Sequence, residues 1–310
     1  MSLLVGFKGS LAADVIAMPV HWYYNRELLD RDYPELTPPQ APREIHPDSI
    51  LWRSQYEAGN EMGEIVHDRE AWGQREVHYH RNLVAGENTM NFKLAQALYD
   101  QVTEAGEYNI DSWVKKYIEA MLTPGWHNDT YIEEYHRGFF TNYSKGKKPE
   151  KCGIRDEHIG GLATVPALVA ALAEMPLEDV RPIVKAHVAL THRHSNVLRA
   201  ADCLVRILHH TAAGAPLRQV IMEAAGDWFS TKKAETWSRQ EDRVVIGQKL
   251  SPACYIAEAF PAALYLAWKY HDGFDAAIEA NARVGGDSCH RGAIVGSLVA
   301  INQHREDPCI

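Results

Sequence analysis

Little in this sequence points toward an extracellular, membrane or nucleic-acid role. Its five cysteines, Cys152, Cys203, Cys254, Cys289 and Cys309, show no CxxC spacing and are odd in number, which argues against a disulfide scaffold and fits a reduced protein. No apolar run approaches the ~20 residues of a membrane helix, and the start of the chain lacks the basic, apolar and small-residue order of a secretion signal. A soluble cytoplasmic protein with no membrane partner is therefore expected. Positive charge is short as well: 32 Lys and Arg against 41 Asp and Glu leave a net charge of -9, the wrong sign for a nucleic-acid groove. The one basic cluster, Lys145, Lys147, Lys148 and Lys151, is broken by Gly146 and Pro149 and reads as a solvated loop. Alternating strand patterns are nearly missing, which removes a sheet from the expectation.

Helical periodicity is plentiful. Leu4, Phe7, Leu11 and Val15 recur three and four apart and predict one buried helix face. Met90, Leu94 and Leu98 repeat the pattern, as do Ala167, Leu168, Ala171 and Leu172, and Val197, Ala201, Leu204 and Leu208. Further helices are predicted over 216–229, 254–271, 273–283 and 291–303. Two stretches, 31–86 and 123–160, break the rhythm with Pro, Gly, His and aromatic residues. Irregular connections of that length in a compact fold tend to line a site. The chain reads as all-α, one domain over residues 1–310 with long loops around a central cleft.

Four short stretches gather polar residues beside glycine or proline. Asp14 is a charge on a mostly apolar helix that Pro19 must end, just before His21 and Trp22. Gly86-Glu87-Asn88-Thr89 and Thr191-His192-Arg193-His194-Ser195 each precede a helix. Gly285-Gly286-Asp287-Ser288-Cys289-His290 precedes the last one. Each alone is explained as a helix cap, since oxygen side chains satisfy the free N–H groups there. Together, helix starts carrying Glu or Asp beside Asn, Thr, Ser, Cys or His are suited to converge on one cation or one sugar.

The order Asp14 to Pro19, Glu-Asn-Thr before a helix, Thr191-His192, and Gly285-Gly286-Asp287 before Ala293-Ile294-Val295-Gly296 resembles the ADP-ribosylglycohydrolase family. That family includes the dinitrogenase reductase-activating glycohydrolases and J1 crystallins. The likeness spans most of the chain and is strongest over 254–301. It implies an all-α domain whose cleft binds ADP-ribose over two magnesium ions, with a ribosylated small molecule or an ADP-ribosylated protein as partner. It also implies a substrate wall drawn from His21, Trp22, Asn88, Thr89, His158, Gly160, Gly161, His192, Gly285 and Gly286. The catalytic carboxylates would come from Asp14, Glu87 and Asp287.

The family's metal motif is altered here. Its first motif usually ends in Glu, where this chain has His21. Its Thr-Asp-Asp-Thr stands as Gly86-Glu87-Asn88-Thr89, and its Asp-Thr-Asp-Thr as Asp287-Ser288-Cys289-His290. Its Met-Arg before a proline is replaced by Leu162-Ala163 ahead of Pro166. Magnesium wants hard oxygen ligands, and two close ions need several carboxylates to offset their repulsion.

Three readings stay open on the residues. His21, Glu87, Asp287, Cys289 and His290 offer nitrogen, sulfur and oxygen ligands for a single transition metal such as zinc or iron. Alternatively Glu87 and Asp287 divide acid and base roles without a metal, assisted by His21 or His290. The third reading keeps magnesium at reduced occupancy, or no catalysis at all. Trp22 and Trp126 are the aromatics best suited to stack on a base or pyridine ring, whereas His67, His78 and His80 read as loop residues without acidic partners in register. The leading expectation is a hydrolase of a ribosyl glycosidic bond, in which Glu87 or Asp287 activates water. The alternative is a non-catalytic protein that binds an ADP-ribose-like ligand or serves structurally.

Overall fold

The computed structural model describes residues 2–306; Cys309 lies outside the described residues. Among the described residues fourteen α-helices follow one another. The first five are α1 (Ser2–Ala17), α2 (Arg26–Asp32), α3 (Met90–Ala105), α4 (Ile110–Leu122) and α5 (Glu134–Ser144). Next come α6 (Val165–Ala171), α7 (Leu177–Ala189), α8 (Ser195–Ala212), α9 (Leu217–Ala224) and α10 (Thr231–Trp237). The last four are α11 (Asp242–Val244), α12 (Ile256–Lys269), α13 (Phe274–Arg283) and α14 (Ser288–Glu306). Among the described residues there is no sheet, only isolated bridges such as His158–Tyr255. The fold is all-α, as expected.

Most of the periodic segments fall where the sequence put them, and their apolar faces are buried. The segment 216–229 is the exception, because its helix, α9, ends at Ala224 and residues 225–229 form a turn ahead of α10. Helix α14 begins three residues before its expected start, since Asp287 caps it by accepting from the His290 amide at 3.3 Å. Pro19 ends α1 in a short 3-10 turn over Met18–Val20.

The buried face of α1 is not the expected one. Phe7 is buried, but Leu4, Leu11 and Val15 remain partly exposed, while Gly6, Gly9, Ser10, Ala13, Asp14 and Ala17 are inside. The reason is the partner: α14 packs along α1 at backbone contact. A Cβ on Gly9 would lie 2.5 Å from the Gly296 carbonyl oxygen, and one on Gly296 would lie 2.3 Å from that of Gly9. Small residues let the two backbones meet, and the many short contacts supply the attraction that large side chains give elsewhere. By length and composition Ser2–Val20 could cross a membrane, contrary to the expectation from the sequence, yet 67% of it is buried within the protein.

Helix α14 also touches α8, α12 and α13, so it forms the centre around which the fold is arranged. The loops of 31–86 fold over its start, where Trp22, Leu51, Ala71, Val77 and Tyr79 make a small apolar cluster of their own. That cluster forms one wall of the cleft described next.

Candidate active site

The site is built on the turn that starts α14. Gly285 and Gly286 both adopt left-handed backbone, φ 73° and 68°, and a Cβ on Gly286 would lie 2.1 Å from the Pro252 carbonyl oxygen. Only glycine fits both demands. The turn is pinned by Gly286 N–H to Tyr23 O at 2.7 Å, Trp22 N–H to Gly286 O at 2.8 Å and Asp287 N–H to Pro252 O at 2.9 Å. Asp287 is thereby held in place with 1% of its surface exposed.

Two histidines meet its Oδ1: His21 Nε2 at 3.0 Å and His290 Nδ1 at 2.8 Å. Burial alone would raise the Asp287 pKa, but His290 and His21 outweigh it and hold the carboxyl well below the usual range. Behind His21 the contacts continue inward. His21 Nδ1 lies 2.8 Å from His80 Nε2, and His80 Nδ1 contacts Asp129 Oδ1. Asp129 Oδ2 in turn accepts from the Met90 amide at 2.6 Å, at the first residue of α3. Burial lowers the pKa of His21 to about 3 and of His80 to about 4, and raises that of Asp129 to about 7.

On the other side of His290 stands Asn91. Its amide nitrogen is 3.0 Å from His290 Nε2 and donates to Glu133 Oε1 at 2.7 Å; its oxygen accepts from Tyr135 OH at 2.5 Å and His136 Nε2 at 2.9 Å. Burial opposes charge on His290, while Asp287 and Glu133 pull its pKa up to about 9. An imidazolium, however, has no lone pair for the Asn91 N–H. Because three other bonds fix the orientation of that amide, the hydrogen-bond pattern decides for neutral His290 with its hydrogen on Nδ1. Glu133 is 8% exposed, its Oε2 has no hydrogen-bond partner, and burial raises its pKa to about 7.

Asp287, His290 and Glu133 border a cleft of about 220 Å³ that is also lined by Trp22, Tyr24, Tyr79, Tyr131, Tyr135, His158, Gly160 and Cys254. Trp22 has left-handed backbone, φ 62°, and stacks on His21 with ring centroids 3.6 Å apart. Such a conformation is strained for a bulky residue and is held here by the surrounding bonds. His158 Nδ1 lies 2.9 Å from Asp156 Oδ1. Burial disfavours charge on this imidazole, but Asp156 and Cys254 raise its pKa to about 11, so it presents a cation to the cleft.

Of the residues singled out from the sequence, His21, Trp22, His158, Gly160, Asp287 and His290 converge here, and Gly285 and Gly286 shape the turn. Others do not. Asp14 spends its oxygens on Thr89 N–H at 2.8 Å, Thr89 Oγ1 at 2.9 Å and Asn88 Nδ2 at 3.0 Å, so it fixes the start of α3 with Asn88 and Thr89 rather than facing the cleft. Glu87 turns outward, accepting from Val84 N–H at 3.0 Å and pairing with Lys93 at 2.5 Å. Cys289 follows the helix to another face than His290 and does not line the cleft; its sulfur is 3.9 Å from the Asp14 carbonyl and lies within 4.8 Å of ring nitrogens of His21 and His80, behind the cleft wall. Gly161 and His192 pack against each other, where a Cβ on the glycine would lie 2.8 Å from His192 Cγ, and neither lines the cleft. Trp126 is half-buried at the edge of the main core, so Tyr79 and Tyr131 supply the aromatic wall expected of it.

The residues do not fit two magnesium ions. Asp14 is saturated by three donors, and Asp287 is flanked by nitrogen ligands that magnesium disfavours. A single transition metal fares little better. Two sets of ligand atoms do lie within 4.8 Å of one another, His21 with Asp287 and His290, and His21 with His80 and Cys289. In the first the Asn91 amide places a hydrogen on His290 Nδ1, which occupies the lone pair a metal needs. In the second burial holds the Cys289 thiol well above its usual pKa, against the thiolate a metal needs. Protein purified without an affinity metal column is expected to hold well below one equivalent of zinc, iron or manganese by elemental mass spectrometry. Stoichiometric metal would mean that the Asn91 and His290 pattern is rearranged by the ion.

The chain belongs to the ADP-ribosylglycohydrolase family, whose model matches residues 6–302. Among solved structures, a chain described as an ADP-ribosylglycohydrolase-related protein complex is similar, with a TM-score of 0.57, 16% identity, and 97% of this chain and 87% of that chain covered. At that identity the likeness concerns the fold. Comparison with curated proteins gave no match.

Proposed function

We propose that the protein hydrolyses a glycosidic bond to ribose without a resident metal, with Glu133 as the proton-transferring group and Asp287 as the fixed negative charge. The observation that carries this reading is Glu133 Oε2, buried at the cleft wall with no protein partner. A buried carboxyl oxygen left unpaired is costly to the fold, on the order of 1–3 kcal/mol, and is the kind of group kept for a ligand. A pKa near 7 suits it to give a proton to the leaving group and recover it from water. Asp287, ionised and rigidly held, stabilises the positive charge that develops on the ribose ring. It does so in place of the Glu87 and Asp287 pair that the sequence offered.

The cleft, at about 220 Å³, is smaller than the roughly 300–1,000 Å³ that drug-sized ligands occupy. That favours a smaller ribosyl compound, or the ribose end of a larger one, with Trp22, Tyr79 and Tyr131 against its apolar face. The test is a panel of ADP-ribosyl conjugates, ribosyl nucleotides and nucleosides assayed for release of ribose or ADP-ribose. Asp287→Asn is expected to reduce turnover on the responsive substrate by roughly 10²-fold or more; full activity in this variant would refute the role given to Asp287. A second reading, a binder without catalysis, draws on the replacement of the family's metal carboxylates by His21 and His290. Ligand binding by calorimetry with no release from any substrate on the panel would select it.

A further inference from the structure

Two helix starts face the cleft, those of α5 and α14. Free N–H groups make such ends the usual seat of a phosphate, yet here both carry carboxyl groups of the chain itself. Glu133 is the N-cap of α5 and Glu134 stands in its first turn, and both line the cleft. At α14, Asp287 accepts from the His290 amide at 3.3 Å. Among the described residues no lysine or arginine side chain lines the cleft to offset these groups. Arg291, on the first turn of α14, is fully buried and gives its hydrogens to Asn281 Oδ1 at 2.8 Å and to the Asn281 and Gly285 carbonyls at 2.9 and 2.8 Å. His158 is held by Asp156 and lies against the ring of Tyr255, with centroids 5.1 Å apart. A phosphate inside would sit among like charges with no free guanidinium or ammonium group to balance it, a juxtaposition that costs binding steeply.

The mouth has the opposite character. Tyr24 is 41% exposed, Ile50 52% and Tyr255 52%. Tyr24 and Ile50 line the cleft, and Tyr255 follows Cys254, which lines it too. Their backbone is fixed: Ile50 N–H donates to Tyr79 OH at 2.8 Å, Asp48 accepts from the Tyr24 and Asn25 amides, and Tyr255 is the N-cap of α12 in a bridge with His158. Large apolar side chains kept wet on a fixed backbone suit a flat ring that rests on them. We infer that the ligand of this cleft is a nucleoside with an unphosphorylated ribose, its sugar inside among the carboxyl groups and its planar base on the rim of Tyr24, Ile50 and Tyr255. The inference rests on the reading of this cleft as a ribose site given above. It narrows that reading to one class of riboside and sets the chain apart from a binder of nucleoside diphosphates.

A C-nucleoside joins base and ribose through carbon, so it binds without being cleaved and tests the ligand apart from the reaction. The probes are formycin and pseudouridine, their 5′-monophosphates, and ADP-ribose, each titrated into the intact protein by calorimetry at low salt. At least one C-nucleoside is expected to bind, about tenfold or more tighter than its monophosphate and than ADP-ribose. Glu134→Lys exchanges a carboxylate for a cation at the start of α5 and should narrow that gap by about tenfold. Tyr255→Ser removes a ring from the rim and should weaken nucleoside binding by about fivefold or more. Equal or tighter binding of the phosphorylated probes, binding of neither C-nucleoside, or wild-type behaviour in both variants would overturn the inference. Nucleoside binding with no ribose released from any substrate supports the ligand class and removes the hydrolase reading alone. Cleavage of an ADP-ribosyl conjugate by protein that binds neither C-nucleoside does the reverse.

Discussion

Glu133→Gln should lower kcat by about 10²–10⁴-fold on any ribosyl substrate the wild type cleaves, the range general acid catalysis supplies. The amide keeps the bond from Asn91 Nδ2 through its oxygen, so the fold and KM should change little. The pH profile supplies the sharper measurement. With a pKa near 7, the acid form is lost as the pH rises past neutrality, and wild-type kcat should fall there. Residual activity of the variant should show no such limb. The same group bears on stability. Because its folded pKa lies above the ordinary value of 4.5, the protonated form contributes stability that is present at low pH and lost as the pH rises toward 7. Asp129, raised in the same direction by the same cause, adds to that slope. The buried histidines with lowered pKa, His21 and His80 among them, slope the other way, so the Glu133 contribution is read as a difference: between pH 5 and pH 8 the denaturant midpoint of Glu133→Gln should shift in favour of the higher pH relative to that of the wild type. Unaltered kcat in the variant would return the proton-transfer role to another group.

Asp14→Ala should act on stability and not on chemistry. It strips partners from the Thr89 amide, the Thr89 hydroxyl and one Asn88 N–H at the start of α3. Losing a cap and stranding buried donors costs about 3 kcal/mol or more together. Urea unfolding should show that loss as a lower midpoint at an unchanged slope. Active-site binding by the folded fraction should remain. If stability barely changed while turnover collapsed, Asp14 would belong to the reaction after all, as the sequence suggested.

Helix type and placement were legible because burial leaves a three-and-four spacing, as in Val197, Ala201, Leu204 and Leu208. In α1 the same spacing points to the wrong face, because its partner α14 demands small side chains at the contact. The site was legible at Asp287, His21 and His290, since glycine pairs and capping residues mark helix starts. Glu133, Asn91, His80 and Asp129 carried no such mark. His80 stands in a histidine-rich loop and its acidic partner lies 49 residues away in sequence, so no local spacing joins them. For Glu87, a capping position states which helix end the carboxylate is near, not that Lys93 turns it outward.

The seam of glycines between α1 and α14 sets an order on the birth of the molecule. Ser288 Oγ bonds the Ala17 carbonyl across 271 residues of chain. During synthesis α1 is therefore made long before the helix that covers it, and an apolar segment of mean hydropathy 1.6 must wait uncovered meanwhile. Loop closure over such a span makes folding slow and the waiting helix a target for chaperones or for other nascent chains. His21 and Trp22, which follow α1, and Asp287 and His290, at the start of α14, cannot meet until the seam closes, so the candidate site is assembled last.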